Sequence, residues 1–211
     1  MGTKVYLVRH GVTDWHAARR VLGQRDISLN AEGLQQGEAL AAALAEVPIG
    51  EVLSSPLQRA VQTAEILARR YQIDVARDPR LLDFRVGRWE GMAYDEVAAS
   101  PEYQRFLVDP MSAQIPGGED LGQIRDRAVA AVEQALADAP AGESLAMVTH
   151  AGIVRVLLAH YLGMNLTNYH RLSVAPGSVS VLSFESDSHR NLPRVLAVNW
   201  SAAALAVERA A

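Results

Sequence analysis

The sequence predicts an α/β protein, a three-layer α/β/α sandwich with a mostly parallel central sheet, from two observations. Short apolar, β-favouring runs recur along the chain, and segments with a helical apolar period lie between them. Val5-Tyr6-Leu7-Val8 has no polar alternation, as expected of a strand covered on both faces. Leu40, Ala43, Leu44 and Val47 step as i, i+3, i+4, i+7 and predict the first long helix. A strand follows at Glu51 to Ser54. The next helix carries Leu57, Ala60, Val61, Ala64, Leu67 and Tyr71 on one face, and Ser55-Pro56-Leu57-Gln58 reads as its N-cap, first-position proline and capping-box partner. Ile73 to Ala76 reads as a short strand. From about 82 to 118 the texture changes: Trp89, Tyr94, Tyr103, Phe106 and Met111 alternate with Pro101, Pro110 and Pro116-Gly117-Gly118. These predict short helices and loops inserted into the sandwich as a lid or substrate-selecting wall. Helices over roughly 120–138 and 151–162 flank a strand at Ser144 to Thr149, and strands at Ser178 to Phe184 and Arg194 to Trp200 complete the sheet.

The bulk composition sets the scale. A chain of 211 residues, 49% apolar and 21% charged, can bury one core, so residues 1–211 are expected to form a single domain. A net charge of −4 offers no general attraction for nucleic acid or an anionic membrane, so any anion site must be local. With no cysteine there is neither disulfide nor thiolate chemistry, and a reducing compartment fits. The start, Met1-Gly2-Thr3-Lys4, runs straight into a strand without a basic region or apolar core, so no signal peptide is expected and the location reads as cytoplasmic. His160, His170 and His189 lack metal-ligand spacing and read as structural or exposed; no metal and no organic cofactor are expected.

Function is sought where open α/β sheets bind ligands, outside the carboxyl ends of their strands. Arg9 and His10 follow the first strand directly. Arg59 lies one turn into the helix that opens after Ser54, and His150 follows the strand ending at Thr149. Two arginines and two histidines thus arrive at one sheet edge beside helix N-termini, whose free N–H groups favour an anion. Guanidinium groups match phosphate oxygens bidentately, so a phosphoryl group is the best-fitting guest. A neutral imidazole can accept that group through one nitrogen while the other is held as a donor. Expelling an alkoxide also needs a carboxylic acid, which can later activate water. His16 suits either a phosphate contact or a loop cap; Arg85 and Arg88 read as solvated charges or as receivers of a substrate carboxylate. Arg155 reads as a surface pair or a buttress of the turn after His150.

The blocks Leu7-Val8-Arg9-His10-Gly11-Val12-Thr13-Asp14-Trp15, Ser54-Ser55-Pro56-Leu57-Gln58-Arg59-Ala60-Val61-Gln62-Thr63-Ala64, Val86-Gly87-Arg88-Trp89-Glu90-Gly91, Gly117-Gly118-Glu119 and Thr149-His150-Ala151-Gly152-Ile153-Val154-Arg155 occur in order over most of the chain. Together they resemble the histidine phosphatase superfamily, also called phosphoglycerate-mutase-like. The resemblance implies that His10 is a phosphorylated nucleophile, that Arg9, Arg59 and His150 form a phosphate pocket, and that Asp83, four residues before Gly87, is the acid. Asp83 stands where glutamate is usual, with Glu90 and Glu119 as substitutes. His16 replaces an asparagine, and Leu22 replaces a glutamine, with Gln24 two places later as a substrate-binding candidate.

The implied activity is hydrolysis of small-molecule phosphate monoesters through phosphohistidine, without metal or cofactor. Phosphoserine, α-ribazole 5′-phosphate, phosphoglycerates and sugar phosphates all fit. The alternatives are phosphoglycerate mutase-type phosphoryl transfer and a non-catalytic phosphate-ester binding protein. The expected partner is a phosphorylated small molecule, not nucleic acid or membrane, and a homodimer is compatible with the pattern.

Overall fold

The computed structural model describes residues 2–139, 143–184 and 193–201. Its strands are β1 (Thr3–Arg9), β2 (Ile49–Ser54), β3 (Val75–Arg77), β4 (Ser144–Thr149), β5 (Val179–Phe184) and β6 (Arg194–Trp200). They form one six-stranded sheet in the order β3-β2-β4-β1-β5-β6. β3, β2, β4 and β1 are mutually parallel, while β5 runs antiparallel to β1 and β6 antiparallel to β5. The expected mostly parallel sandwich is therefore present as a mixed sheet.

The apolar runs explain the layering. In β1, Val5 and Leu7 face one core cluster and Tyr6 and Val8 the other; in β4, Leu145 and Met147 oppose Ala146 and Val148 in the same way. Strands loaded on both faces need helices on both faces. One face is covered by α2 (Ala31–Ala43) and α3 (Gln58–Tyr71), the other by α6 (Leu121–Asp138) and α7 (Ala151–Tyr161). A four-residue helix, α1 (Asp14–Ala17), follows β1. The 82–118 segment contains a 3₁₀ turn at Gly87–Trp89 and two short helices, α4 (Tyr94–Ala98) and α5 (Pro101–Val108). It is fastened by burying Trp89, Val97, Phe106 and Ile115 in the α6–α7 core.

Two local expectations change. Val47 lies beyond the end of α2, because Leu44 already occupies the C-cap. The helix expected to open on a Ser55 cap starts instead at Gln58, with Leu57 as N-cap and no side-chain capping bond. Gln58 is drawn away by Asp26, which accepts from its backbone N at 2.7 Å and from its Nε2 at 3.0 Å. Arg59 is consequently the second residue of α3, in its first turn. Among the described residues no helix is long and apolar enough to cross a membrane.

Candidate active site

β1, β2 and β4 are neighbours, so their carboxyl ends deliver His10, Ser55 and His150 to one spot. His10 is buried, and its Nδ1 lies 2.7 Å from the carbonyl oxygen of Gly11. A carbonyl only accepts, so Nδ1 carries the proton and Nε2 keeps its lone pair. That lone pair faces the Nε–H of Arg59 at 3.2 Å. The Gly11 carbonyl is fixed in turn. Gly11 N donates to Thr63 Oγ1 at 3.2 Å, and a Cβ on Gly33 of α2 would meet the Val12 carbonyl oxygen at 2.1 Å, so that helix touches the loop after His10 backbone to backbone.

Arg59 is fully buried and held at three points. Its NH1 donates to the Arg25 carbonyl at 2.7 Å, its NH2 to the Gly23 carbonyl at 2.8 Å, and NH2 also reaches Asp83 Oδ2 at 3.3 Å. Arg9 donates from NH1 to the Val174 carbonyl at 2.7 Å, and its NH2 lies 2.9 Å from His16 Nε2. His16 Nδ1 accepts from Thr13 N at 3.2 Å and lies 2.9 Å from Thr13 Oγ1. His16 thus caps its own helix and touches Arg9 with the same ring. His150 places Nε2 2.8 Å from Ser55 Oγ and Nδ1 3.6 Å from Asp83 Oδ2. The His10 and His150 ring centres are 5.1 Å apart.

Asp83 is brought to this cluster. Its Oδ1 accepts from Phe84 N at 2.9 Å, and its backbone carbonyl receives Gln24 Nε2 at 2.9 Å and Arg127 NH2 at 3.1 Å. Arg127, from α6, also donates from NH1 to the carbonyls of Arg80 and Leu82, each at 2.7 Å, and pairs with Glu119 at 3.0 Å. The loop that presents Asp83 is therefore clamped from below. Glu119 is occupied by Arg127 and by Arg85 N, and Glu90 by Gln24 N and Arg25, so Asp83 is the carboxylate that meets Arg59 and His150.

Electrostatics follow from this burial. Desolvation first, and Arg59 second, hold the His10 and His150 imidazoles well below the ordinary histidine value, so both are neutral in the free pocket. His16 is lowered to about 4 by burial and by Arg9. Burial raises the Asp83 carboxyl, with Arg59 opposing. Arg9 is lowered to about 10, chiefly by desolvation. Arg9 Nε and His150 Nδ1 are buried without a hydrogen-bond partner. The unmatched Arg9 Nε and His150 Nδ1, together with the Arg59 guanidinium on the His10 lone pair, are groups of the kind that match a tetrahedral oxyanion.

Of the remaining expected site residues, Gln24 supports Asp83 through its backbone. Arg85 and Arg88 are exposed, and Arg88 pairs with Glu102 at 2.9 Å. Among the described residues no cluster of histidine, aspartate and glutamate could hold a metal ion, and His189 lies outside them. Sequence reasoning did not assign Ser55 to the site, because a serine before Pro-Leu-Gln reads equally as a cap. It also passed over Arg127, although Ile124, Ala128 and Ala131 are buried on the helix face where Arg127 interrupts the apolar stripe.

A family model described as histidine phosphatase superfamily (branch 1) matches residues 5–198. A probable phosphoglycerate mutase, GpmB, from Escherichia coli O1:K1 is 35% identical over 184 residues, covering 86% of this chain and 85% of that protein. The mycobacterial glucosyl-3-phosphoglycerate phosphatase solved with VO3 superposes with a TM-score of 0.85 at 28% identity, covering 94% of this chain and 100% of the other. YhfR of Bacillus stearothermophilus gives the same TM-score of 0.85 at 28% identity, covering 94% of this chain and 97% of the other.

Proposed function

The chain belongs to the histidine phosphatase superfamily, branch 1, and on that basis we propose that it hydrolyses phosphate monoesters of small molecules through a phosphohistidine formed on His10. The observation that carries this reading is the His10 tautomer: Nδ1–H is held by the Gly11 carbonyl, and the unprotonated Nε2 faces the Arg59 Nε–H, with the His16 and His150 rings beside it. In the first step Nε2 attacks phosphorus, the bond to the ester oxygen breaks, and Asp83 gives its proton to the departing alkoxide. In the second, the Asp83 carboxylate takes a proton from water as the water oxygen attacks phosphorus; the N–P bond breaks and phosphate leaves with Nε2 regenerated.

The raised Asp83 carboxyl suits the acid role, and its contacts with Arg59 and His150 suit its later role as carboxylate. Ser55 accepts from Leu57 N at 3.4 Å and has its own O–H to give to His150 Nε2, which leaves Nδ1 as a neutral N–H donor for a phosphoryl oxygen. Arg9 and Arg59 supply charge neutralisation, so the reaction as read is metal-independent.

The test is hydrolysis and labelling in the presence of EDTA. The native chain is expected to release phosphate from p-nitrophenyl phosphate and to carry acid-labile label, and His10→Ala to lose both. Label retained in His10→Ala refutes the assignment. The GpmB likeness supports a second reading, phosphoryl transfer between phosphoglycerate positions. Product analysis separates the two: free phosphate supports hydrolysis, and interconverted phosphoglycerates support transfer.

A further inference from the structure

Asn199 stands one residue from the end of β6 with φ at 57°, in the left-handed region that glycine enters freely and that asparagine tolerates better than most side chains. Val181 pairs with Ala197 and Val179 with Trp200, so Val198 and Asn199 of β6 lie opposite the single residue Ser180 of β5. Two residues against one make a β-bulge, which re-aims a side chain at a sheet edge. Asn199 N donates to Ser180 Oγ at 3.1 Å and holds the bulge in place.

The re-aimed amide grips the loop that leads into β5 on both sides of one residue. Asn199 Oδ1 accepts from Ala175 N at 2.6 Å, and Nδ2 donates to Ser173 Oγ at 3.4 Å. Between them lies Val174, which is buried and whose carbonyl receives Arg9 NH1 at 2.7 Å. The far end of the same loop is tied to the backbone of β1. Ala175-Pro176-Gly177-Ser178 closes as a turn, with Ser178 N donating to the Ala175 carbonyl at 3.1 Å and Gly177 at φ 68°; the Ser178 carbonyl then accepts from Arg9 N at 3.0 Å. Among the described residues the Arg9 guanidinium contacts the Val174 carbonyl and, through NH2 at 2.9 Å, His16 Nε2, while its Nε is buried without a partner. A guanidinium is planar, so spending one N–H on a fixed carbonyl sets the direction of the others.

We infer that Asn199 is a positioning residue: its amide fixes the Val174 carbonyl, and that carbonyl fixes the angle at which Arg9 offers its remaining N–H groups to the phosphoryl group. Asn199 acts from the edge strand β6, with β5 between it and β1, and reaches Arg9 only through Val174. The inference rests on the phosphatase reading for what Arg9 binds, but not for how Arg9 is held.

The test separates the amide from the backbone that carries it. Asn199→Gly keeps the left-handed conformation and removes both amide hydrogen bonds, Asn199→Asp keeps the acceptor for Ala175 N, and Arg9→Met removes the group being positioned. For p-nitrophenyl phosphate, Asn199→Gly should lower kcat/KM about 5- to 10-fold, the worth of one hydrogen bond passed on to Arg9, and Asn199→Asp should recover most of it. In the Arg9→Met background Asn199→Gly should change kcat/KM by less than about twofold, a non-additivity that general loosening of the fold does not produce. Nitrogen NMR of the Arg9 guanidinium, assigned by its loss in Arg9→Met, should show separate NH1 and NH2 signals in the native chain and in Asn199→Asp, because a held NH1 slows rotation about the bonds to Cζ. In Asn199→Gly they should merge. An unmoved kcat/KM in Asn199→Gly, or a loss of full size in the Arg9→Met background, overturns the inference. If the native chain releases no phosphate from p-nitrophenyl phosphate, the phosphatase reading falls alone and the guanidinium signals decide. Signals merged already in the native chain, or still separate in Asn199→Gly, then overturn the role of Asn199, and merging in Asn199→Gly alone upholds it.

Discussion

Replacing Arg127 with methionine removes the clamp beneath Asp83 while keeping an unbranched apolar stem in α6. The native guanidinium satisfies the carbonyls of Arg80, Leu82 and Asp83 and pairs with Glu119, with side-chain exposures of 18% and 14% for the two partners. Breaking a largely buried pair from one side leaves the other charge uncompensated, which costs about 3–5 kcal/mol. The residual exposure argues for the lower figure. At about 2–4 °C per kcal/mol for a chain of this size, the melting temperature should fall by roughly 6–12 °C. Arg127→Met/Glu119→Gln removes the stranded charge yet keeps an acceptor for Arg85 N, so it should regain about 1 kcal/mol or more over Arg127→Met. Urea denaturation of the native chain, both single variants and the double gives the coupling directly. Because Asp83 loses a restraint, turnover of alkyl phosphates should fall further than turnover of p-nitrophenyl phosphate, whose leaving group needs no proton. A single-variant loss under about 1 kcal/mol, or additive singles, would sink the clamp argument.

Two further outcomes follow from the same geometry. Asp83→Asn can neither give nor take the proton, so alkyl phosphate hydrolysis should slow by on the order of 10²–10⁴, and phosphohistidine should accumulate with an aryl phosphate. An unchanged alkyl rate would move the acid role to Glu90 or Glu119. In phosphate-free buffer, stability should fall as pH drops below 6.5. His10, His16 and His150 remain neutral in the fold below the pH at which they charge when unfolded, so the unfolded chain binds more protons there and acid favours it; for His16 the window closes at about 4. Asp83 opposes this, since its raised value makes protonation favour the fold. The urea midpoint at pH 5 should therefore lie below that at pH 7.5, and an equal or higher midpoint would contradict the burial of the imidazoles.

The sheet was readable because β1 and β4 are covered on both faces and so lack alternation, and β4 and β6 have the bounds their runs suggest. β3 begins two residues later than its apolar run, where β2 offers ladder partners to Val75, Ala76 and Arg77. That Arg9, His10 and His150 gather at one sheet edge was readable too, since each need only follow its strand. Their supports were less so. Ser55 carries a capping signature that another residue pair, Gln58 with Asp26, takes over, which releases the hydroxyl to His150. Arg127 and Arg155 are single charges on mainly apolar helix faces, and only the partners found in space tell that one is clamped and the other unmatched.

The site is also divided between parts of unequal durability. The half proposed to bind the anion hangs from strands β1, β2 and β4, whose opening requires the whole sheet to come apart. The proposed acid, Asp83, comes from the segment after β3, joined to the core by a few aromatic and aliphatic anchors such as Trp89, Phe106 and Ile115. On the proposed reading, mild denaturation should therefore yield a protein that still captures phosphate but has lost its proton donor, and that segment can change in sequence without disturbing His10.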